Sequence, residues 1–325
     1  MWLVTFHGRA TCSINNVVAY DDHGKELGPA LKVDSSSPAL QELRGLALVG
    51  TSLYVVNGYK HCSQVLVYAS HGGSTYRYDS VYASTELTAM LHPYDLTFDA
   101  SGNCYVSNQD TNVVVGLSGP NAPLPSPPSL PDGVLPGTIV ASSIGALSDV
   151  SPAPPDVPEP LGLGVKCIDK SGAKVACTTK DARVKHSVRG VVAYDGLLCV
   201  ADEAADAVKV YDLGTGALKG QIAGGELESP VQLLLQGSTL YIGGGSAVTS
   251  YDLSHPFPPG SVTPDTYKKG LTEVSGIAFD SGGTFYAAER SAKTILKFSH
   301  KHSAGEPFIT GLCDEPEFIL YVPDS

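Results

Sequence analysis

Arg189-Gly190-Val191-Val192-Ala193, then Leu198-Cys199-Val200-Ala201-Asp202, then Val208-Lys209-Val210-Tyr211-Asp212: three short apolar runs follow one another between positions 189 and 212. Each has the length and β-branched content of a strand. Asp195-Gly196 separates the first two and is the sequence of a tight hairpin turn. The same order recurs along the chain. Arg44–Val49 leads into Leu53–Asn57 and Gln64–Tyr68; Tyr94–Asp99 leads into Cys104–Asn108 and Asn112–Val115. Val231–Leu235 leads into Leu240–Gly244 and Val248–Asp252; Ser275–Asp280 leads into Phe285–Glu289 and Ile295–Phe298.

Gly45, Asp95, Gly190, Gln232 and Gly276 are equivalent positions in the first runs, spaced 50, 95, 42 and 44 residues apart. A period of about 40–50 residues with several short strands per unit is the signature of a β-propeller. No unit can bury its sheet alone, and stacking the units in a ring gives each sheet two neighbours. The chain opens on a second-strand run, Leu3–His7, and a third, Val17–Asp21, and closes on a lone first-strand run, Phe318–Val322. Together these make a composite blade with the C-terminal strand innermost. The expected fold is therefore all-β, a single six-bladed propeller over residues 1–325 with a composite N/C-terminal closing blade. The 95-residue gap is long enough for a degenerate seventh blade. Residues 117–160 are rich in Pro, Ser and Gly and lack the pattern, and 167–177 read as a hairpin. The gap is thus expected to hold an inserted loop and hairpin, at about 117–186, of the kind that forms lids.

The repeats, above all Leu198–Asp202 with Val208–Tyr211, resemble the NHL-repeat and SMP-30/gluconolactonase-like group of six-bladed propellers. This group includes lactonases, amidating lyases and purely protein-binding domains, so the resemblance implies a fold and leaves the function open. In such propellers two rings of residues line the mouth of the central channel. The starts of the innermost strands supply Arg44, Tyr94, Arg189, Val231, Ser275 and Glu317; the ends of the second strands supply His7, Asn57, Asn108, Asp202, Gly244 and Glu289. The metal sites of the lyases and lactonases do not carry over: Pro93-Tyr94-Asp95-Leu96 stands where the lyases have His, and of the lactonase ligands only Glu317 matches. An oxygen cage of Asn57, Asn108, Asp202 and Glu289 would suit a divalent cation (Ca, Mg, Mn or Zn). Asp202, Asn57 and Asn108 could instead cap loops by accepting backbone N–H groups.

Chemistry at the mouth would fall to Glu317, Glu289 or His7 as proton carrier and Tyr94 as hydrogen-bond donor, with Arg44, Arg189 and Ser275 holding the substrate. An unpaired Arg is a good clamp for a carboxylate or phosphate because its planar fork donates two bonds at once. Paired to acids, it is structural. The reading is a small-molecule hydrolase or lyase binding a small anionic organic ligand; the alternative is a non-catalytic NHL-type propeller that binds a protein, peptide or small ligand on its top face. The sequence has no GxSxG elbow, HExxH, P-loop or GxGxxG.

The net charge of −12 argues against nucleic acid and anionic membrane surfaces as partners, and a monomer is expected. Of 7 cysteines, Cys104 and Cys199 read as buried core thiols. Cys167 and Cys177 flank Gly172 symmetrically, and Cys12 and Cys62 occupy equivalent loops of adjacent blades, so both pairs are candidate disulfides. A bridge at either place would point to an oxidising, secreted or extracytoplasmic setting.

Overall fold

In the computed structural model the described residues are 1–8, 12–58, 63–84, 90–109, 112–117, 137–141, 167–168, 174–175, 183–184 and 188–323. Six small antiparallel sheets are arranged around a central axis. Blade 1 is the composite: Pro316–Tyr321 is innermost, followed outward by Trp2–Phe6, Val18–Tyr20 and Glu26–Pro29. The innermost strands of blades 2 to 6 are Leu43–Val49, Pro93–Phe98, Val188–Tyr194, Pro230–Gln236 and Val274–Phe279. Each of the six contacts the next, and the last contacts the first, so the ring closes at six blades and not seven.

The energetics follow the same geometry. Six apolar clusters fill the six gaps between neighbouring blades, such as Leu3, Leu53 and Leu66 between blades 1 and 2, and Val192, Leu233 and Ile242 between blades 4 and 5. No blade has a core of its own; each buries its faces only against its neighbours. A seventh cluster joins Tyr94, Val231 and Phe318, from blades 3, 5 and 1. These side chains come from non-adjacent blades and pack together at the centre of the ring.

Neighbouring inner strands also run close enough for direct bonds. Asp95 accepts from Val191 N at 3.1 Å across blades 3 and 4, and Gln232 Oε1 accepts from Ile277 N across blades 5 and 6. Glycine at the second position makes the approach possible: a Cβ on Gly190 would lie 2.7 Å from Leu233 N and 2.8 Å from Val231 O.

The long gap departs from expectation in one respect. Gly137–Ala141 lies inside the stretch read as loop, yet it pairs with Val113–Leu117 as the fourth strand of blade 3. The Pro-rich flanks hid a strand only five residues long. Further on, Cys167–Ile168 pairs with both Lys174–Val175 and Arg183–Val184 in a separate three-stranded sheet. Two outer edges are covered by short parallel strands: Leu31–Lys32 on blade 2 and Gly260–Val262 on blade 4. Both protect an unpaired ladder from outside pairing. Among the described residues no helix is long and apolar enough to cross a membrane.

Candidate functional site

In every blade the ladder between the innermost and second strand slips by one residue near the start of the inner strand. The residues left without a one-to-one partner include Arg44, Tyr94, Arg189, Val231, Ser275 and Glu317, the whole first ring. A β-bulge turns its extra residue away from the alternating pattern. Six bulges at one level therefore aim six side chains at the axis. A second local device precedes the strands. Glu42, His92, Ser229 and Glu273 come one residue before an inner strand and have φ of 47°, 54°, 41° and 49°. Non-glycine residues adopt this left-handed backbone rarely, and it clusters at functional sites. The carbonyls of Glu42, His92 and Glu273 accept from Gly58, Gln109 and Arg290, the residues that follow the second strands, at 3.3, 3.1 and 3.0 Å.

Glu317 is the centre of the mouth. It is fully buried, and three side chains converge on it. His7 Nδ1 bonds Oε1, Arg290 Nη2 donates to Oε2 at 2.8 Å, and the Tyr94 hydroxyl donates to Oε2 at 3.2 Å. Burial alone would push this carboxyl up. The charges of Arg290 and Arg44, with the His7 bond, outweigh it and hold the group well below the usual carboxylate range. The Tyr94 phenol moves the other way: burial, then the Glu317 charge, push it far above its ordinary value, so it stays protonated and donates. Burial disfavours the Arg290 charge, yet Glu317 and Glu273 more than compensate, and the guanidinium stays charged.

The two ring arginines are paired. Arg44, 2 % exposed, donates from Nη2 to Glu42 at 3.1 Å and from Nη1 to the carbonyls of His7 and Leu43 at 3.4 Å. His92 Nε2 lies 3.5 Å from the same Glu42 oxygen. Arg189 meets Glu203 at 2.5 Å, donates to Gln109 at 2.7 Å and lies over the Tyr94 ring at 5.1 Å. Neither is the free anion clamp that an unpartnered arginine would make. The neutralising acids are Glu42 and Glu203, which the repeat alignment did not place in either ring.

The second ring is different from expectation in three of its members. Asn57, Asn108 and Glu289 accept from Gln41 N at 2.9 Å, Leu91 N at 3.1 Å and Thr272 N at 2.7 Å. In each case the donor stands two residues before the inner strand of the same blade. These side chains are loop latches, and their oxygens are engaged by backbone N–H groups that a metal cage would leave unpartnered. Glu289 also lines a groove of about 710 Å³ between blades 5 and 6, with Lys268 and Phe298, away from the Glu317 cluster. Asp202 is fully buried. Among the described residues no three His, Cys, Asp or Glu gather as metal ligands. Ser275, fully buried, donates to Pro316 O at 2.6 Å and ties blade 6 to blade 1.

Of the second ring, His7 bonds Glu317 directly. In three other blades the side chains at the mouth come from the next residue: Gln109, Glu203 and Arg290. A shift of one position in the repeat alignment would have found all three.

The cysteines also correct the expectation. Cys12 pairs with Cys313, not Cys62, with a Cα–Cα distance of 6.0 Å. Cys12 lies in the loop between Trp2–Phe6 and Val18–Tyr20, and Cys313 in the connection from blade 6 into blade 1, so the bridge ties blade 1 toward blade 6 and not toward blade 2. Cys167 faces Val175 in the ladder, two residues short of the register that would oppose it to Cys177; Cys177 and Cys62 lie outside the described residues. Cys104 and Cys199 are buried free thiols, and burial pushes Cys199 up to about 12.

The sequence matches no known protein family and no curated protein. Solved structures do match. A chain of a nidogen/laminin complex superposes with a TM-score of 0.57 at 11 % identity, over 98 % of this chain and 96 % of that one. A protein from Lactobacillus plantarum superposes with a TM-score of 0.55 at 13 % identity, over 99 % of both chains. At these identities the likeness is one of fold, and the fold is that of a six-bladed β-propeller.

Proposed function

We propose that this chain is a small-molecule hydrolase or lyase whose chemistry is carried by His7 at the channel mouth. The observation that carries the reading is the bond between His7 Nδ1 and the buried, charged Glu317. A carboxylate at Nδ1 fixes the tautomer with the proton on Nδ1, which leaves a lone pair on Nε2. His7 Nε2 then takes a proton from water attacking an acyl carbon, or from a C–H or O–H of the substrate in an elimination. The imidazolium that results sits against a fixed negative charge. Glu317 is kept ionised by Arg290, and Tyr94 stays protonated beside it, so the proton moves on His7 and not on its neighbours.

An anionic group of the substrate would be held on Arg189. Its partner Glu203 is 31 % exposed at the side chain and can swing aside, whereas Arg44 is fixed on two carbonyls. The exposed Cys12–Cys313 bridge supports an extracytoplasmic setting.

The test is a panel of lactones, esters, amides and β-elimination substrates assayed with the wild type and His7→Gln. Loss of about 10²–10⁴-fold in turnover is the expected result for a general base. Turnover that survives in His7→Gln, or none on any member of the panel, overturns the reading and leaves the ligand-binding propeller in its place.

A further inference from the structure

His7 and Glu317 come from opposite ends of the chain, separated by 310 positions, and two connections bring them together. The first runs from Gly8 toward Val18; within it residues 8 and 12–17 are described. The second, Thr310–Glu315, leads into the strand that carries Glu317. Three contacts join them. Asp314, fully buried, accepts from Gly8 N at 3.1 Å and from Ile14 N at 2.9 Å; His7 N donates to Glu315 O at 2.8 Å; and Cys12 is bonded to Cys313. Of these only the last is covalent, and both of its cysteines are exposed. The bridge lies five residues from His7 on one side and four from Glu317 on the other. Lys293 Nζ also donates to Cys313 O at 2.9 Å, which fixes the second connection to blade 6.

We infer that the Cys12–Cys313 disulfide is a redox clamp on the mouth: when oxidised it holds the His7 and Glu317 segments in register, and when reduced it releases the His7 segment. This rests on the reading of His7 and Glu317 as the reactive pair and adds its regulation. The reductant is a dithiol. Its thiolate attacks one sulfur, the mixed disulfide resolves on the second thiol, and two electrons and two protons pass to the bridge. The products are two cysteine thiols and an oxidised dithiol. Nothing else in the ring need change, because the six inter-blade clusters do not include either cysteine.

The experiment uses the full chain, uniformly ¹⁵N-labelled. The hydrogen-bonded Nδ1–H of His7 gives a far-downfield proton resonance, assigned by its loss in His7→Gln. The expected result is a resonance present in the oxidised protein, lost in dithiothreitol with the amide spectrum of blades 3 to 5 unchanged, and restored on reoxidation. It is also missing from the Cys12→Ser/Cys313→Ser variant, which separates this bridge from the other cysteines. A resonance that survives complete reduction and persists in the double variant overturns the clamp and leaves the pair standing. Collapse of the whole amide spectrum on reduction also overturns it, since the bridge would then hold the ring and not the mouth. Absence of the resonance in the oxidised wild type overturns the pair itself, and with it the proposed function.

Discussion

Glu317 and Asp95 are two buried acids on neighbouring parts of the same ring, and their surroundings push them in opposite directions. Glu317 is held below the usual carboxylate range, because Arg290 and Arg44 offset its burial. Its folded value lies under its unfolded one, so it stabilises the fold at neutral pH, and that contribution disappears as pH falls below the ordinary carboxylate range. Glu317→Gln should cost about 2–3 kcal/mol near pH 7, since it leaves Arg290 with only Glu273, at 3.5 Å. The gap in unfolding midpoint between wild type and variant should close in acid; a gap that stays constant from pH 7 to 3 counts against the buried ion pair. Asp95 faces no cation. Burial raises it to about 7 despite bonds from Val191 N and Leu96 N. Here the folded state holds the proton more tightly than the unfolded chain, so stability is highest below the ordinary carboxylate value and declines as pH rises toward 7. Denaturant melts of Asp95→Asn across pH 4–8 should lack that decline, and a wild type with no slope in this window would contradict it.

At the scale of the strand, the bulge decides what each blade presents. Gly190 shows how tightly these strands pack. A methyl group there would press on Leu233 N and Val231 O, which are backbone atoms and cannot swing away. Gly190→Ala should therefore cost about 2–3 kcal/mol by overpacking, read as a lower urea midpoint; an unchanged midpoint would mean that blades 4 and 5 separate easily. The first ring was legible in the sequence because the five repeats align at Gly45, Asp95, Gly190, Gln232 and Gly276, and the residue before each is the one the bulge turns inward. The second ring was not legible in three of its members. Alignment carries the repeat's phase to the last strand residue, but the loop beyond it turns the next side chain, Gln109, Glu203 or Arg290, toward the axis. The left-handed residues Glu42 and Glu273 were hidden for a related reason: nothing in a glutamate announces positive φ. Gly137–Ala141 escaped notice because a five-residue outer strand carries too little apolar pattern to stand out from proline-rich flanks.

For the whole molecule, closure depends on one strand contributed by the far end of the chain. The repeat period and the incomplete sets of runs at the two termini made this readable. The Cys12–Cys313 partnership was not, because it depends on which loops the closed ring brings to one place. The bridge joins residues 301 apart. In the chain-entropy account a loop of this length restricts the unfolded state by about 5 kcal/mol. The Cys12→Ser/Cys313→Ser variant should thus unfold at a clearly lower denaturant concentration than the oxidised wild type, and at the same concentration as the reduced wild type. A difference between those last two would assign part of the effect to the other cysteines.

The composite blade also sets an order of events in the cell. Residue 7 leaves the ribosome about 15–60 s before residue 317 at ordinary rates of synthesis. Until then the first three strands of blade 1 have no inner partner, and the imidazole has no carboxylate. A growing chain can stack blades 2 to 6, but its mouth stays unformed until Pro316–Tyr321 has been made. A chain cut short before that strand holds His7 without its carboxylate, so the pair reports that the ring has received its closing strand.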